Sequence, residues 1–104
     1  MKVIIDTNAL IYAAKKKQDL ATVIDRQILI PNLVIAELEK LTKTARKGAD
    51  KAAAKLALQL IKHKKWKIIK LEAGHTDKMI LKYAKEHSCD IYSFDKLLKA
   101  EHKL

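Results

Sequence analysis

Two aspartates each follow a short apolar run directly, a placement that could bring both carboxylates to one edge of a fold. Asp6 comes directly after the β-branched run at residues 3–5, and Asp95 comes directly after an apolar run at residues 91–94. The first run is typical of a buried strand, and the second is typical of a short strand. Because ligands of open α/β sheets bind outside the carboxyl ends of the strands, we expect Asp6 and Asp95 to lie at the same edge.

Glu37 falls on the apolar face of a helix predicted over residues 33–44. The apolar residues of this helix have i, i+4, i+7 spacing, at Val34, Leu38 and Leu41. Glu37 comes three residues after the first of them, so we expect it to face inward. A lysine partner or a shallow position would account for such a glutamate as well as a ligand role would.

Asp77 is similarly placed near the start of a helix predicted to be capped by Thr76 and to end at about residue 87. The apolar stripe of this helix is predicted to contain Ile80, Leu81 and Ala84, three to seven residues after Asp77. The aspartate should therefore face inward, near the partly positive end of the helix dipole. Helix capping explains Asp77 equally well, and Asp95 could simply cap a final helix.

The four carboxylates together indicate a hard divalent cation. Two inward carboxylates without a cationic partner would cost on the order of several kcal/mol. The four histidines are scattered, and Cys89 has no second cysteine, so no nitrogen or sulfur ligand cluster is evident. Mg²⁺ and Mn²⁺ prefer oxygen ligands, and such an ion can stabilise charge on a phosphate. His75 could approach this site, although a solvated loop histidine is the simpler interpretation.

The net charge favours a polyanionic partner. The 104 residues include 22 Lys+Arg against 12 Asp+Glu, for a formal charge of +10. Such an excess attracts nucleic acid without specifying a fold. The single cysteine excludes an internal disulfide, and neither a signal peptide nor a membrane-spanning run is apparent. We therefore expect one domain over residues 1–104, in the cytoplasm and without a membrane partner.

The elements that must position the carboxylates alternate between strand and helix. Hydrophobic patterning predicts the order β-α-α-β-α-α-β-α-β-α, with strands over residues 2–6, 27–30, 67–71 and 91–94. Asp19, Asn32 and Thr76 are the predicted caps of three of the helices. Strands separated by helices are typical of a parallel sheet covered on both faces, which is an α/β fold.

With these residues in view, the chain resembles the PIN-domain ribonucleases. The resemblance rests on four segments in the family's order, which are VIIDTNALIYA, IPNLVIAELEKL, HTDKMILKYAKEH and IYSFDKLL. It implies a three-layer α/β/α fold with strand order 3-2-1-4. The segment from Glu37 to Ile61 is similar to small archaeal members that process ribosomal RNA, and the VapC toxins are more distant.

The resemblance also implies roles for individual residues. Asp6, Glu37, Asp77 and Asp95 would hold one or two Mg²⁺ or Mn²⁺ ions and catalyse the hydrolysis of RNA. Nearby polar side chains would orient carboxylates, water or phosphate; these are Thr7, Asn8 and Ser93. PIN domains usually have a fifth strand, which this sequence is not expected to form. Strand four would then be an edge, which favours a homodimer or another partner there.

Two other functional hypotheses are open. The chain could bind RNA through its basic surface without cleaving it, or it could be a toxin ribonuclease held inactive by an antitoxin. A basic stretch is a candidate for phosphate binding in each case, although a solvated loop is an equally good interpretation. Its cationic residues are Lys43, Arg46 and Lys47.

Overall fold

The computed structural model describes residues 2–92, and within them a parallel sheet is flanked by helices. The strands are β1 (Lys2–Ile5), β2 (Gln27–Pro31), β3 (Lys67–Ile69) and β4 (Asp90–Tyr92). The helices are α1 (Thr7–Lys15), α2 (Leu20–Val23), α3 (Asn32–Thr44), α4 (Gly48–Lys64) and α5 (Thr76–His87). The predictions for Ser93, Asp95 and a final helix lie outside this part of the chain.

The sheet has the strand order predicted from the resemblance, β3-β2-β1-β4, and its strands are parallel. Residues Val3, Ile4 and Ile5 of the central strand are all 0% exposed. Because successive side chains of a strand point to opposite faces, both faces of the sheet must be covered. This confirms the three-layer α/β/α prediction. β4 is the outer strand on one side within residues 2–92, and its pairing with another chain stays a prediction.

The helices α1, α3 and α4 pack on one another, and α5 packs beside β4. Small side chains at Ala53, Ala54 and Ala57 are buried on α4 and allow close approach of the neighbouring helices. Lys15 of α1 pairs with Asp50 of α4, and this ammonium lowers the pKa of the Asp50 carboxyl. None of the helices within residues 2–92 is long and apolar enough to cross a membrane.

The predicted caps of two helices were wrong. Pro31 and His75 occupy the N-cap positions of α3 and α5, and neither makes a side-chain capping bond. Asn32 and Thr76 are instead the first helical residues. The predicted cap Asp19 is correct, because its carboxylate accepts a hydrogen bond from the Ala21 N–H.

Asn32 has a tertiary role in place of the predicted local one. The Leu71 N–H donates to its Oδ1 at 2.7 Å, and its Nδ2 donates to the Leu71 carbonyl at 3.4 Å. These bonds satisfy the backbone of a residue that follows β3 and is itself buried. Because β3 ends at Ile69, two residues before the predicted end, the amide replaces strand pairing at Leu71.

We predict that Asn32→Ala destabilises the protein by about 1–3 kcal/mol, since it leaves buried backbone groups of Leu71 without partners. Urea unfolding followed by far-UV circular dichroism measures the change. Gln59→Ala, at an exposed position on α4, is the control and should change stability by less than about 0.5 kcal/mol. Equal stabilities of the two variants would contradict the role assigned to Asn32.

Candidate functional site

Three of the four predicted carboxylates line one cleft. Asp6, Glu37 and Asp77 border a cavity of about 430 Å³. Asp6 directly follows β1, Glu37 belongs to α3 and Asp77 belongs to α5. The other lining residues are Thr7, Asn8, Gly74, His75 and Thr76. The structure thus brings together side chains that are up to 71 positions apart in the sequence. Asp95 is the fourth predicted residue and lies outside the described part.

Asp6 occupies the junction between β1 and α1. Its Oδ1 accepts a hydrogen bond from the Ala9 N–H at 2.8 Å, so it is the N-cap of a helix that begins at Thr7. Its own N–H donates to the Tyr92 carbonyl at 3.4 Å, next to the last β1–β4 residue pair. The strand and the helix dictate the position of this carboxylate before any ligand is considered.

Glu37 lies where the inward-face prediction placed it, at the margin of the core. The neighbouring residues Val34 and Leu38 are 0% exposed, and Glu37 is half-buried. The helix therefore places the carboxylate in the cleft while the stripe beside it anchors α3 on the sheet. The predicted burial penalty is correspondingly smaller, because this side chain retains contact with solvent.

The inward-face prediction was wrong for Asp77. The residue is exposed, and Leu81, which was assigned to the same apolar stripe, is 51% exposed. The buried residues of α5 are Ile80 and Ala84, so the buried face of the helix is rotated relative to the prediction. Asp77 lines the cleft because it lies in the first turn of α5, where the helix begins at the mouth of the cleft.

Thr7 and Asn8 were both predicted to support the carboxylates, and both line the cleft. Thr7 is only 7% exposed, and among residues 2–92 its Oγ1 is a buried side-chain atom without a hydrogen-bond partner. An orphaned buried hydroxyl is costly, which favours a ligand, a water or an ion near it. Asn8 is exposed.

The loop before α5 contributes more of the cleft than the sequence indicated. Gly74, His75 and Thr76 all line it, whereas only His75 was considered near the site. The available signal was the short polar Glu-Ala-Gly-His loop directly before Asp77 in the sequence. Its position beside Asp6 depends on how β3 and α5 pack, which no local pattern encodes.

The predicted phosphate-binding residues are not part of the cleft. Lys43 is near the end of α3, and Arg46 and Lys47 are in the connection to α4. All three are exposed, and none lines the cavity. Their contact with RNA stays a prediction.

The chemistry of the cleft suits a hard cation. Among residues 2–92, no lysine or arginine lines it, while three carboxylates do, and the N-termini of α1 and α5 lie beside them. Helix N-termini offset part of the repulsion between carboxylates. Within residues 2–92, no three His, Cys, Asp or Glu side chains are grouped so that they could hold a metal ion alone. The three carboxylates and the orphaned Thr7 hydroxyl nevertheless fit Mg²⁺ or Mn²⁺ as the class of ion.

Both the fold and the positions of these carboxylates define a class of α/β protein with an acidic cleft at the carboxyl edge of its sheet. The family model described as "PIN like domain" matches residues 3–103. The chain belongs to the PIN-like domain family, as the sequence resemblance predicted.

Relatives and solved structures agree with this assignment. Ribonuclease VapC4 of Methanocaldococcus jannaschii is 39% identical over 93 residues, covering 83% of this chain and 70% of the relative. Ribonuclease VapC9 of Archaeoglobus fulgidus is 32% identical over 104 residues, covering 96% and 74%. The structure of the PIN domain of human SMG5 aligns with a TM-score of 0.52 at 22% identity, covering 96% of this chain and 98% of that one. This last likeness concerns the fold alone.

We predict that the helix-capping role of Asp6 is separable from its charge. Asp6→Ala removes the acceptor for the Ala9 N–H and should destabilise the protein by about 1 kcal/mol. Asp6→Asn keeps an acceptor oxygen and should lose less. Thermal unfolding of the three proteins measures the difference, and an asparagine variant as unstable as the alanine variant would contradict the prediction.

Proposed function

We propose that this protein is a divalent-metal-dependent endoribonuclease whose acidic cleft hydrolyses RNA phosphodiesters. The observation that carries the proposal is the convergence of Asp6, Glu37 and Asp77 on one cleft from three separate elements. Two ribonucleases that match most of this chain give further support. A binding module that does not cleave RNA would gain nothing from three carboxylates facing a polyanion.

In this proposal Asp6, Glu37, Asp77 and Asp95 hold one or two Mg²⁺ or Mn²⁺ ions. Tyr92 lies three residues before Asp95 and accepts a hydrogen bond from the Asp6 backbone, which supports the inclusion of Asp95. When bound, such an ion supplies Lewis-acid stabilisation of phosphate charge and makes a water more acidic. Thr7, which is buried, and Asn8, which is exposed, would orient carboxylates, water or phosphate in the cleft.

The basic surface has a complementary role. Carboxylates repel RNA when they are not neutralised, whereas a net charge of +10 attracts it over longer distances. Lysines dominate this excess, and they suit attraction of phosphates better than recognition of individual bases. RNA binding should therefore weaken strongly with salt. Lys43, Arg46 and Lys47 are the proposed contacts outside the cleft.

We expect Asp6→Asn, Glu37→Gln, Asp77→Asn and Asp95→Asn each to reduce cleavage of structured RNA by on the order of 100-fold or more, because each removes charge that the proposed mechanism requires. Denaturing gels with Mg²⁺ or Mn²⁺, beside an EDTA control, measure the rate. Glu39→Gln is the matched control, because Glu39 lies on the same helix, is exposed and does not line the cleft. Cleavage that persists in EDTA, or equal losses in the Glu37 and Glu39 variants, would overturn the proposal.

Two cellular settings fit this activity, and they differ in the partner. One is processing of ribosomal or other RNA in the cytoplasm. The other is a toxin ribonuclease paired with an antitoxin, which the VapC names of the two relatives favour. The same cleft would act in both settings, so the geometry of the carboxylates is common to them.

The toxin setting predicts growth arrest when the protein is produced alone in a bacterial host. Asp6→Asn should relieve the arrest, because the arrest would require cleavage. Growth curves after induction, with the two proteins at equal levels on immunoblots, measure the effect. Normal growth despite active ribonuclease in the lysate would favour the processing setting.

A further inference from the structure

A second cleft runs along α5, next to the acidic one. It has a volume of about 230 Å³. We name it the α5 cleft; its lining residues are Lys70, Leu71, Glu72, Met79, Lys82, Tyr83, Glu86 and His87. None of them belongs to the carboxylate site. The α5 cleft is therefore separate from the proposed catalytic residues.

The two clefts share a wall. Gly74 lines the acidic cleft, and Met79 lines the α5 cleft. A Cβ atom built on Gly74 would lie 3.4 Å from the Cε of Met79, so the methionine packs directly on the glycine. Along α5, Asp77 and His87 are ten residues apart, which is about 15 Å of helix rise. An RNA strand that lies in one cleft can therefore extend into the other.

The α5 cleft contains a stacked pair of aromatic rings. The rings of Tyr83 and His87 have their centroids 4.1 Å apart with an interplanar angle of 28°. Tyr83 is half-buried and packs against the core, while His87 is exposed. The tyrosine therefore holds the imidazole ring in place, and the ring stays accessible. Ordered, accessible rings of this kind are platforms for nucleobases, because every base has a π-face.

The remaining lining residues favour a base over a phosphate. Lys70 and Lys82 are balanced by Glu72 and Glu86, so the cleft offers an anion no net attraction. The same side chains provide hydrogen-bond donors and acceptors, which the edges of an unpaired base require. Leu71 and Met79 add apolar surface. An aromatic platform with balanced polar groups suits a neutral heteroaromatic ring.

We infer that the α5 cleft is a nucleobase subsite, in which an unpaired base of the RNA stacks on His87 while a phosphate a few nucleotides along the strand lies in the acidic cleft. The inference rests on the proposed function, because it assumes that RNA passes through the acidic cleft. It adds a contact with one unpaired base a few nucleotides from the phosphate in the acidic cleft, since a base can stack on His87 only when it is unpaired.

Direct binding tests the inference without requiring cleavage. Asp6→Asn protein is titrated into a fluorescent single-stranded RNA oligonucleotide, and anisotropy is recorded at fixed salt. His87→Ala in this background should weaken binding about 10-fold, a loss within the range for one base–aromatic stack. His87→Phe should restore binding, because it keeps a ring. His63→Ala is the matched control, since His63 is an exposed histidine on α4 and outside both clefts.

An abasic scan identifies the contact as one with a base. In a set of oligonucleotides that each lack one base, at least one should bind the Asp6→Asn protein more weakly than the complete RNA does. The same missing base should have no further effect on binding when the protein also carries His87→Ala. Equal binding by the His87 and His63 variants, no rescue by phenylalanine, or no such position would overturn the inference. Cleavage by the wild-type protein would be unaffected by that result, so the proposed function would stand. Binding that depends on His87 in a protein that cleaves no RNA would overturn the proposed function alone.

Discussion

The fold depends on the complete burial of the central strand. Val3, Ile4 and Ile5 are inaccessible to solvent, and parallel strands pair with them on both sides. A strand buried on both faces can begin and end only at the edges of the sheet, so the first polar side chain after it emerges at the carboxyl edge. That side chain is Asp6. Its carboxylate caps α1, and the same junction therefore ends the strand, starts the helix and places charge in the cleft.

Electrostatics divides the molecule into an acidic cleft and a basic surround. Three acidic residues line one cavity to which the described part of the chain contributes no lysine or arginine, although the full sequence has 22 such cations against 12 acids. Repulsion between these carboxylates is moderated by solvent and by two helix N-termini. The same repulsion would favour uptake of a divalent cation. A basic exterior around an acidic centre suits an enzyme that acts on a polyanion, because the excess of positive charge offsets the repulsion between the cleft and the substrate.

Asn32 connects the elements on which both clefts depend. Its side chain joins the start of α3, which carries Glu37, to Leu71, which lines the α5 cleft. The loop that begins after Leu71 contains Gly74 and His75, and both line the acidic cleft. One amide thus ties α3 to the segment between β3 and α5.

The sequence by itself determined the order of the elements within residues 2–92, the buried central strand and the three carboxylates of the acidic cleft. These follow from local rules, since β-branched runs form buried strands and parallel strands present their carboxyl ends to one edge. Tertiary structure decided what local patterns do not encode. It rotated the buried face of α5 so that Asp77 and Leu81 are exposed, and it gave Asn32 a partner 39 residues away in place of a capping role. It also created the α5 cleft, because the stacking of Tyr83 on His87 becomes a binding surface only when β3 and its loop pack beside them.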